Sequence, residues 1–385
     1  MSAPARVLPL IVLAQLLGVS PWFAVNAVMP DLQAAYGWPA SSVGTLTSAL
    51  TLGFIAGTLV FALAGVADRF RARHVFFACA MAAALCTLLA AQAAASFGAL
   101  LLLRAATGFF LAGIYPVGMK IAALWFPRGL GAALGWLVGA LVLGSAAPHA
   151  LRAGNVGWEW QGVFGVIAVL AALAGALVLF GVPEPPRPAA APPPLKLAAL
   201  GTLWSDRRVR ASAFGYFGHM WELYTLWVLL PAILATRLAS TVAVSWAAFL
   251  VLGSGAIGCI GGGLLVQRFG GARVAGVQLA ASGGCCLLAP WLLGAPVSWF
   301  MAWLLLWGIT VVGDSPQFSA LTASNAPREA VGSVLTLTNS IGFAISVLSI
   351  EIFVRLAGAL PLESLLPWLA LGPLLGLWAL RPLLR

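Results

Sequence analysis

Charge is what this sequence has least of. Of its 385 residues only 8% are Asp, Glu, Lys or Arg, and just ten are acidic. A typical soluble domain is about a quarter charged, so a chain of this length with a fully hydrated surface is excluded. Cysteine is also scarce. Cys79, Cys86, Cys259, Cys285 and Cys286 all lie in apolar segments without metal-ligand spacing, so they read as small core residues, and no metal site is expected. No HExxH motif and no Walker loop occurs, which argues against a membrane-embedded metalloenzyme and against a chain that itself hydrolyses ATP. The formal charge of +10 is strung along loops and forms no single patch. Neither a nucleic-acid partner nor a cofactor is expected.

What is present is apolar length: 62% of the chain is hydrophobic. The runs recur near the roughly 20 residues that a helix needs to cross a bilayer. The alternating pattern of a membrane barrel is missing, which leaves helices. Spans are predicted over Val7–Val28, Val43–Ala67, His74–Ala94, Phe97–Ala123, Leu130–Ala150, Val163–Val182, Ser212–Leu234, Val242–Val266, Val274–Leu293, Val297–Ala323, Gly332–Val354 and Leu365–Leu380. The first run lacks a small-residue cleavage site and is expected to stay in the fold. The fold class expected is an all-α membrane protein of twelve spans.

Loop charge sets the orientation. With the N-terminus inside, the inner loops and tails hold Arg6, Arg69, Arg71, Arg73, Arg128, Arg187, Lys196, Arg207, Arg208, Arg210, Arg268, Arg273, Arg328, Arg381 and Arg385. The outer loops hold Arg152, Arg237 and Arg355. Fifteen against three places both termini in the cytoplasm. The Pro-rich stretch PEPPRPAAAPPP follows the sixth span on that same side. Repeated proline removes backbone donors and favours extended chain. The expected organisation is a six-helix bundle over residues 1–182, a cytoplasmic linker over 183–205 and a second bundle over 206–385.

The halves repeat. Gly113, Pro116, Pro127 and Arg128 recur 200 residues on as Gly313, Pro316, Pro327 and Arg328. The DRF of Asp68 to Phe70 recurs 199 residues on as the QRF of Gln267 to Phe269. Internal repeats of this kind build many secondary transporters. At these residues the chain resembles the major facilitator superfamily. AGVADRFRAR is similar to the family's loop signature Gly-x-Leu-Ala-Asp-Arg-x-Gly-Arg-Lys, with Asp68 and Arg69 matching, Ala64 in place of the first Gly and Arg71 in place of the second. Its second-half copy keeps Gly263, Leu265, Arg268 and Gly270. RAATG resembles the family's Arg-x-x-Gln-Gly, with Thr107 in place of Gln. The exporter signature Gly-Pro-x-x-Gly-Gly is absent from the fifth span. The resemblance implies two pseudo-symmetric six-helix bundles in a bacterial inner membrane, gating by Asp68, Arg69 and Arg268, and a solute path lined by the first, fourth, seventh and tenth spans.

Helical spacing can be read on those four spans independently. Gln15, Val19, Trp22 and Asn26 share a stripe, as do Arg104, Gly108, Leu111 and Tyr115. Gly215, Gly218, His219 and Glu222 share another, as do Trp303, Trp307, Thr310, Asp314 and Gln317. At about 1.5 Å per residue, Glu222 lies roughly 15 Å into its helix and Arg104 about 10 Å below the outer edge. A charge at the bilayer centre costs at least about 2.5 kcal/mol, so each needs a partner, water or a change of protonation.

The expected reading is a secondary transporter of a small organic or inorganic anion, coupled to protons. In it Glu222, His219 and Asp314 handle the proton, and Arg104, Tyr115, Trp22, Asn26, Trp307, Gln317 and Asn339 meet the substrate. Its partners are the solute, protons and the lipid bilayer. Efflux of an amphipathic compound, a passive channel and a non-transporting receptor stay open as alternatives. Plainer roles stay open too. Arg104 could bridge backbone carbonyls, and Asp314, before Ser315 and Pro316, could cap a broken helix. His219 could satisfy a core hydrogen bond, Lys120 could snorkel, and Glu351 could pair with Arg355. Thr336, Asn339 and Ser346 form a weaker polar stripe on the eleventh span.

Overall fold

The computed structural model describes residues 4–126, 130–154, 159–184, 199–328 and 330–384, and among them every regular element is a helix. Twelve helices are long and apolar enough to span a membrane: α1 Val7–Tyr36, α2 Ser42–Leu63, α3 Ala72–Ala93, α4 Phe97–Trp125, α5 Ala133–Gly154, α6 Trp160–Gly181, α7 Arg207–Ala235, α8 Thr241–Phe269, α9 Gly271–Leu292, α10 Val297–Asn325, α11 Val331–Leu356 and α12 Leu362–Leu384. They fall into two compact units, Met1–Pro194 and Leu195–Arg385.

Two boundaries differ from expectation for identifiable reasons. The first helix does not end at Val28. It runs through Pro30 to Tyr36 and stops at Gly37, whose φ of 67° gives the left-handed turn that closes a helix. The seventh begins not at Ser212 but at Arg207. Asp206 caps it, its Oδ1 accepting from the backbone N–H of Arg208 at 2.8 Å and of Val209 at 3.0 Å. Arg207, Arg208 and Arg210 therefore lie in the first turn of a helix rather than in a loop. Within the expected linker, Ala199–Ser205 is a short helix. The Pro-rich residues 185–198, the repeat members Pro127 and Arg128, and Arg385 lie outside the described residues. Asp68 falls in a four-residue helix, Val66–Arg69, entered through Gly65 at φ 59°; its side chain is outside the description. Arg69 and Arg268 are exposed.

Proline breaks four of the spans: α12, with a tight turn over Leu366–Ala370 that holds Pro367, and three others whose breaks position polar groups. In α1 a tighter turn over Ser20–Phe23 contains Pro21. Pro21 has no N–H for the Leu17 carbonyl, and the Ser20 hydroxyl donates to that oxygen at 2.7 Å. α4 divides into Phe97–Leu111 and Tyr115–Trp125 ahead of Pro116. α10 divides into Val297–Gly313 and Ser315–Asn325 around Asp314. Pro316 has no N–H for the Val312 carbonyl, which accepts instead from the Asp314 backbone N–H and from the Cys259 thiol at 3.5 Å.

The repeat is visible in the packing, with one reversal. In the N-terminal unit Gln15 on α1 presses its Oε1 against Gly118 on α4. At the equivalent positions, 200 residues on, Gly215 of α7 receives the ring of Phe318 of α10. The large side chain has moved to the other helix of the pair, and it is polar in one unit and apolar in the other. A Cβ at either glycine would overlap its partner. Gly215 thus serves helix packing and does not extend the polar stripe of α7.

Candidate functional site

The C-terminal unit gathers the protonatable groups. α7 presents His219 and Glu222 one turn apart, and both are 1% exposed. Glu222 has no basic partner among the described residues. Three neutral donors surround its carboxyl instead: Trp307 Nε1 at 2.6 Å and Cys286 Sγ at 3.2 Å on Oε1, and Ser282 Oγ at 3.0 Å on Oε2. Trp307 comes from α10, Ser282 and Cys286 from α9. The Trp303 ring lies 5.2 Å from that of Trp307, and its Nε1 donates to the Cys285 carbonyl at 3.0 Å. An aromatic wall thus backs the acid on one side.

The second acid does something other than cap. Asp314 stands at the N-terminal edge of the second half of α10, but its side chain makes no capping hydrogen bond to that helix. Its Oδ1 lies 2.8 Å from His219 Nδ1, with Asp314 fully buried. The helix-cap alternative fails because the carboxyl is drawn across to α7. The two groups face each other at ion-pair distance, and the other imidazole nitrogen, Nε2, has no hydrogen-bond partner among the described residues. Gln317, one turn beyond Asp314, is 4% exposed, and its Nε2 likewise has no partner there.

Helix α11 contributes glue rather than a polar wall. Ser346 donates to the Met220 carbonyl at 2.7 Å and Ser349 to the Trp221 carbonyl at 2.6 Å, tying α11 to the α7 turn that carries His219 and Glu222. Ser346 therefore leaves the polar stripe expected for α11. Asn339 is partly buried and makes no described contact with the acid cluster. Glu351 pairs with Arg355 four residues on, at 3.0 Å.

In the N-terminal unit Arg104 is 1% exposed, and its fork is already engaged. Nη1 donates to the Pro21 carbonyl at 2.8 Å and Nη2 to the Trp22 carbonyl. These oxygens sit in the tight turn of α1, where regular helix bonding is interrupted, and a planar cation is well shaped to meet two of them at once. The geometry is the backbone bridge that the sequence left open. Trp22 packs its ring 4.9 Å from Phe54. Asn26 is bound to Thr47 of α2, Nδ2 to Oγ1 at 3.0 Å. Tyr115 is partly buried at the start of the second half of α4. At the end of the same unit Arg152 clamps Asp31 with two bonds of 2.8 and 2.6 Å. Both residues are separate in the sequence, and nothing local pairs them.

Sequence reasoning missed helix α9. Its members Ser282 and Cys286 both touch Glu222, and Gln278 donates to the Gly258 carbonyl at 3.1 Å. The signal was available: Gln278, Ser282 and Cys286 recur at intervals of four, one polar stripe on an otherwise apolar span. No group of three or more His, Cys, Asp or Glu suited to a metal ion occurs among the described residues.

A family model described as the Major Facilitator Superfamily matches residues 11–350. Solved structures of similar shape include a mutant of the nucleoside transporter NupG, with 14% identity, TM-score 0.74 and coverage of 98% of this chain and 100% of that one. The human organic anion transporter MFSD10 gives 17% identity, TM-score 0.75 and coverage of 98% and 100%. A bacterial homologue of the human lysosomal transporter Spinster, in an inward-facing and unoccupied conformation, gives 18% identity, TM-score 0.70 and coverage of 100% and 93%. At these identities the likeness is one of fold. No curated protein matches the chain.

Proposed function

The chain belongs to the major facilitator superfamily, and we propose that this membrane transporter couples the movement of a small organic solute to protons, with Glu222 as the coupling acid. The observation that carries the reading is a carboxyl 1% exposed, held by three neutral donors and lacking any basic partner among the described residues. Such a group is costly when ionised, so a cycle that lets it gain and lose a proton uses what the fold has built. The His219–Asp314 pair one turn away is the second protonatable element, able to hold or pass a proton through the uncommitted Nε2.

In the N-terminal unit Trp22, Asn26 and Tyr115, and in the C-terminal unit Trp307, Gln317 and Asn339, are the residues proposed to meet the solute, and Asp68, Arg69 and Arg268 those proposed to gate. The expected anion selectivity rested on Arg104. With two of its nitrogens on the α1 carbonyls, it supports no charge sign for the substrate. We place the protein in an inner membrane with both termini cytoplasmic, on the loop-charge bias. Efflux of an amphipathic compound by proton antiport is the second reading, favoured by the Trp303–Trp307 wall beside the acid.

The deciding experiment is uptake of a solute panel by proteoliposomes with and without an imposed proton gradient. A solute accumulated only with the gradient supports symport, and one expelled by it supports the second reading. Equal flux of every solute with and without the gradient defeats both.

A further inference from the structure

The three donors on Glu222 are not equivalent. Oε1 receives two, Trp307 Nε1 at 2.6 Å and Cys286 Sγ at 3.2 Å; Oε2 receives one, Ser282 Oγ at 3.0 Å. An indole N–H donates and cannot accept. A proton on Oε1 would face that N–H across 2.6 Å, so Oε2 is the oxygen with room for it. Its described hydrogen-bond neighbour is a hydroxyl, which both donates and accepts. Ser282 Oγ also lies 3.2 Å from the carbonyl of Leu279, one turn back on α9. One hydroxyl proton thus has two acceptors within reach and serves one at a time.

Resting on the reading of Glu222 as the coupling acid, we infer that Ser282 is the positioning residue that lets this carboxyl exist in both protonation states. Toward the ionised form, Ser282 donates to Oε2. When a proton from the aqueous phase bonds to Oε2, the serine turns about its Cβ–Oγ bond. It then accepts from the new O–H and sends its own proton to the Leu279 carbonyl. No other bond forms or breaks. The titratable groups near Glu222 are His219 on its own helix, Asp314 at the α10 break, and Cys285 and Cys286 on α9. Of these Cys286 hydrogen-bonds the carboxyl, and it does so on the other oxygen. Ser282 is 1% exposed, so bulk water does not stand in for it. The plainer role, a serine merely bonding back to its own helix, makes a different prediction for the variants below.

The test is the infrared difference spectrum between acid and alkaline pH, recorded on the full chain in liposomes, alongside gradient-driven uptake. The wild type should show the C=O stretch of a protonated carboxyl, and Glu222→Gln should lack it. In Ser282→Ala that band should move to higher wavenumber or vanish, because the carboxyl O–H has lost its acceptor. Accumulation should fall by about tenfold or more, the effect of one unmet buried donor. Ser282→Thr keeps the hydroxyl and should restore both, which separates this role from a failure to fold. An unshifted band with wild-type accumulation in Ser282→Ala overturns the inference, as does Ser282→Thr behaving like Ser282→Ala. A band that persists in Glu222→Gln removes the coupling-acid reading itself, and this inference with it.

Discussion

Glu222→Gln separates the coupling charge from the shape around it. The carboxamide oxygen can take the place of Oε1 and keep Trp307 and Cys286 as donors. Its NH2 group then points at Ser282 Oγ, which accepts by turning its own proton to Leu279. Each of the three polar contacts survives, and no carboxyl remains buried at that point. The variant is therefore expected to unfold at or above the wild-type temperature in the same detergent. What it loses is one ionisation. Moving one elementary charge through about 100 mV is worth about 2.3 kcal/mol. At about 1.4 kcal/mol per factor of ten, that is roughly a 50-fold concentration ratio. Wild-type protein coupled to one proton should approach that ratio under a proton gradient of this size, and Glu222→Gln should stay near unity. Counterflow of labelled solute, which requires no net proton release, should continue in the variant. Both are measured on the same proteoliposomes. A Glu222→Gln protein that accumulates solute like the wild type would refute the reasoning and pass the coupling role to His219 and Asp314.

The remaining expectations are briefer. Asp314→Ala should destabilise by about 3–5 kcal/mol, as removal of one member of a buried pair does. In a double-mutant cycle with His219→Ala the coupling energy should be about 0.5–3 kcal/mol; additive losses would mean the 2.8 Å pair contributes nothing. Arg104→Ala removes two charge-assisted bonds, and the Pro21 carbonyl keeps only the Ala24 N–H, so the loss should be at least about 1–3 kcal/mol. Its thermal midpoint should drop while the folded fraction binds substrate as before. Arg104→Lys should recover only part of the stability, lacking the fork, and a loss confined to affinity for an anionic solute would reinstate the anion reading. Asp68→Asn should slow turnover and spare substrate binding; equal turnover at equal stability would show that the loop has no gating role. A cysteine placed at Pro192 should be labelled only from the cytoplasmic face, and labelling from the other face would overturn the orientation.

How far the sequence could be read depended on the range of the interaction. Spans were legible because a bilayer needs uninterrupted apolar length, and composition along the chain records that directly. Helix ends were less so: Asp206 starts α7 five residues before the apolar run that marked it. The acids were found because a charge inside such a run stands out. Their partners were not, since Ser282 and Cys286 are ordinary small residues until α9 is laid against α7. Arg104 shows the limit clearly. Its depth argued for a substrate role, but its neighbours are two main-chain carbonyls exposed by the turn at Pro21, about eighty residues earlier in the chain.

By itself the sequence determined that the chain spans a membrane twelve times, that its halves repeat, and that Glu222, His219, Asp314 and Arg104 lie within spanning helices. Those properties follow from hydrophobicity, proline and helical period, which act along the chain. The tertiary structure decided which of the buried charges is met by backbone and which by side chain. It set His219 on Asp314 rather than leaving Asp314 as a cap, and it gave Glu222 three neutral donors and no cation among the described residues. These outcomes depend on how helices distant in sequence are packed at hydrogen-bonding distance, and a contact of that kind leaves no mark on either segment alone.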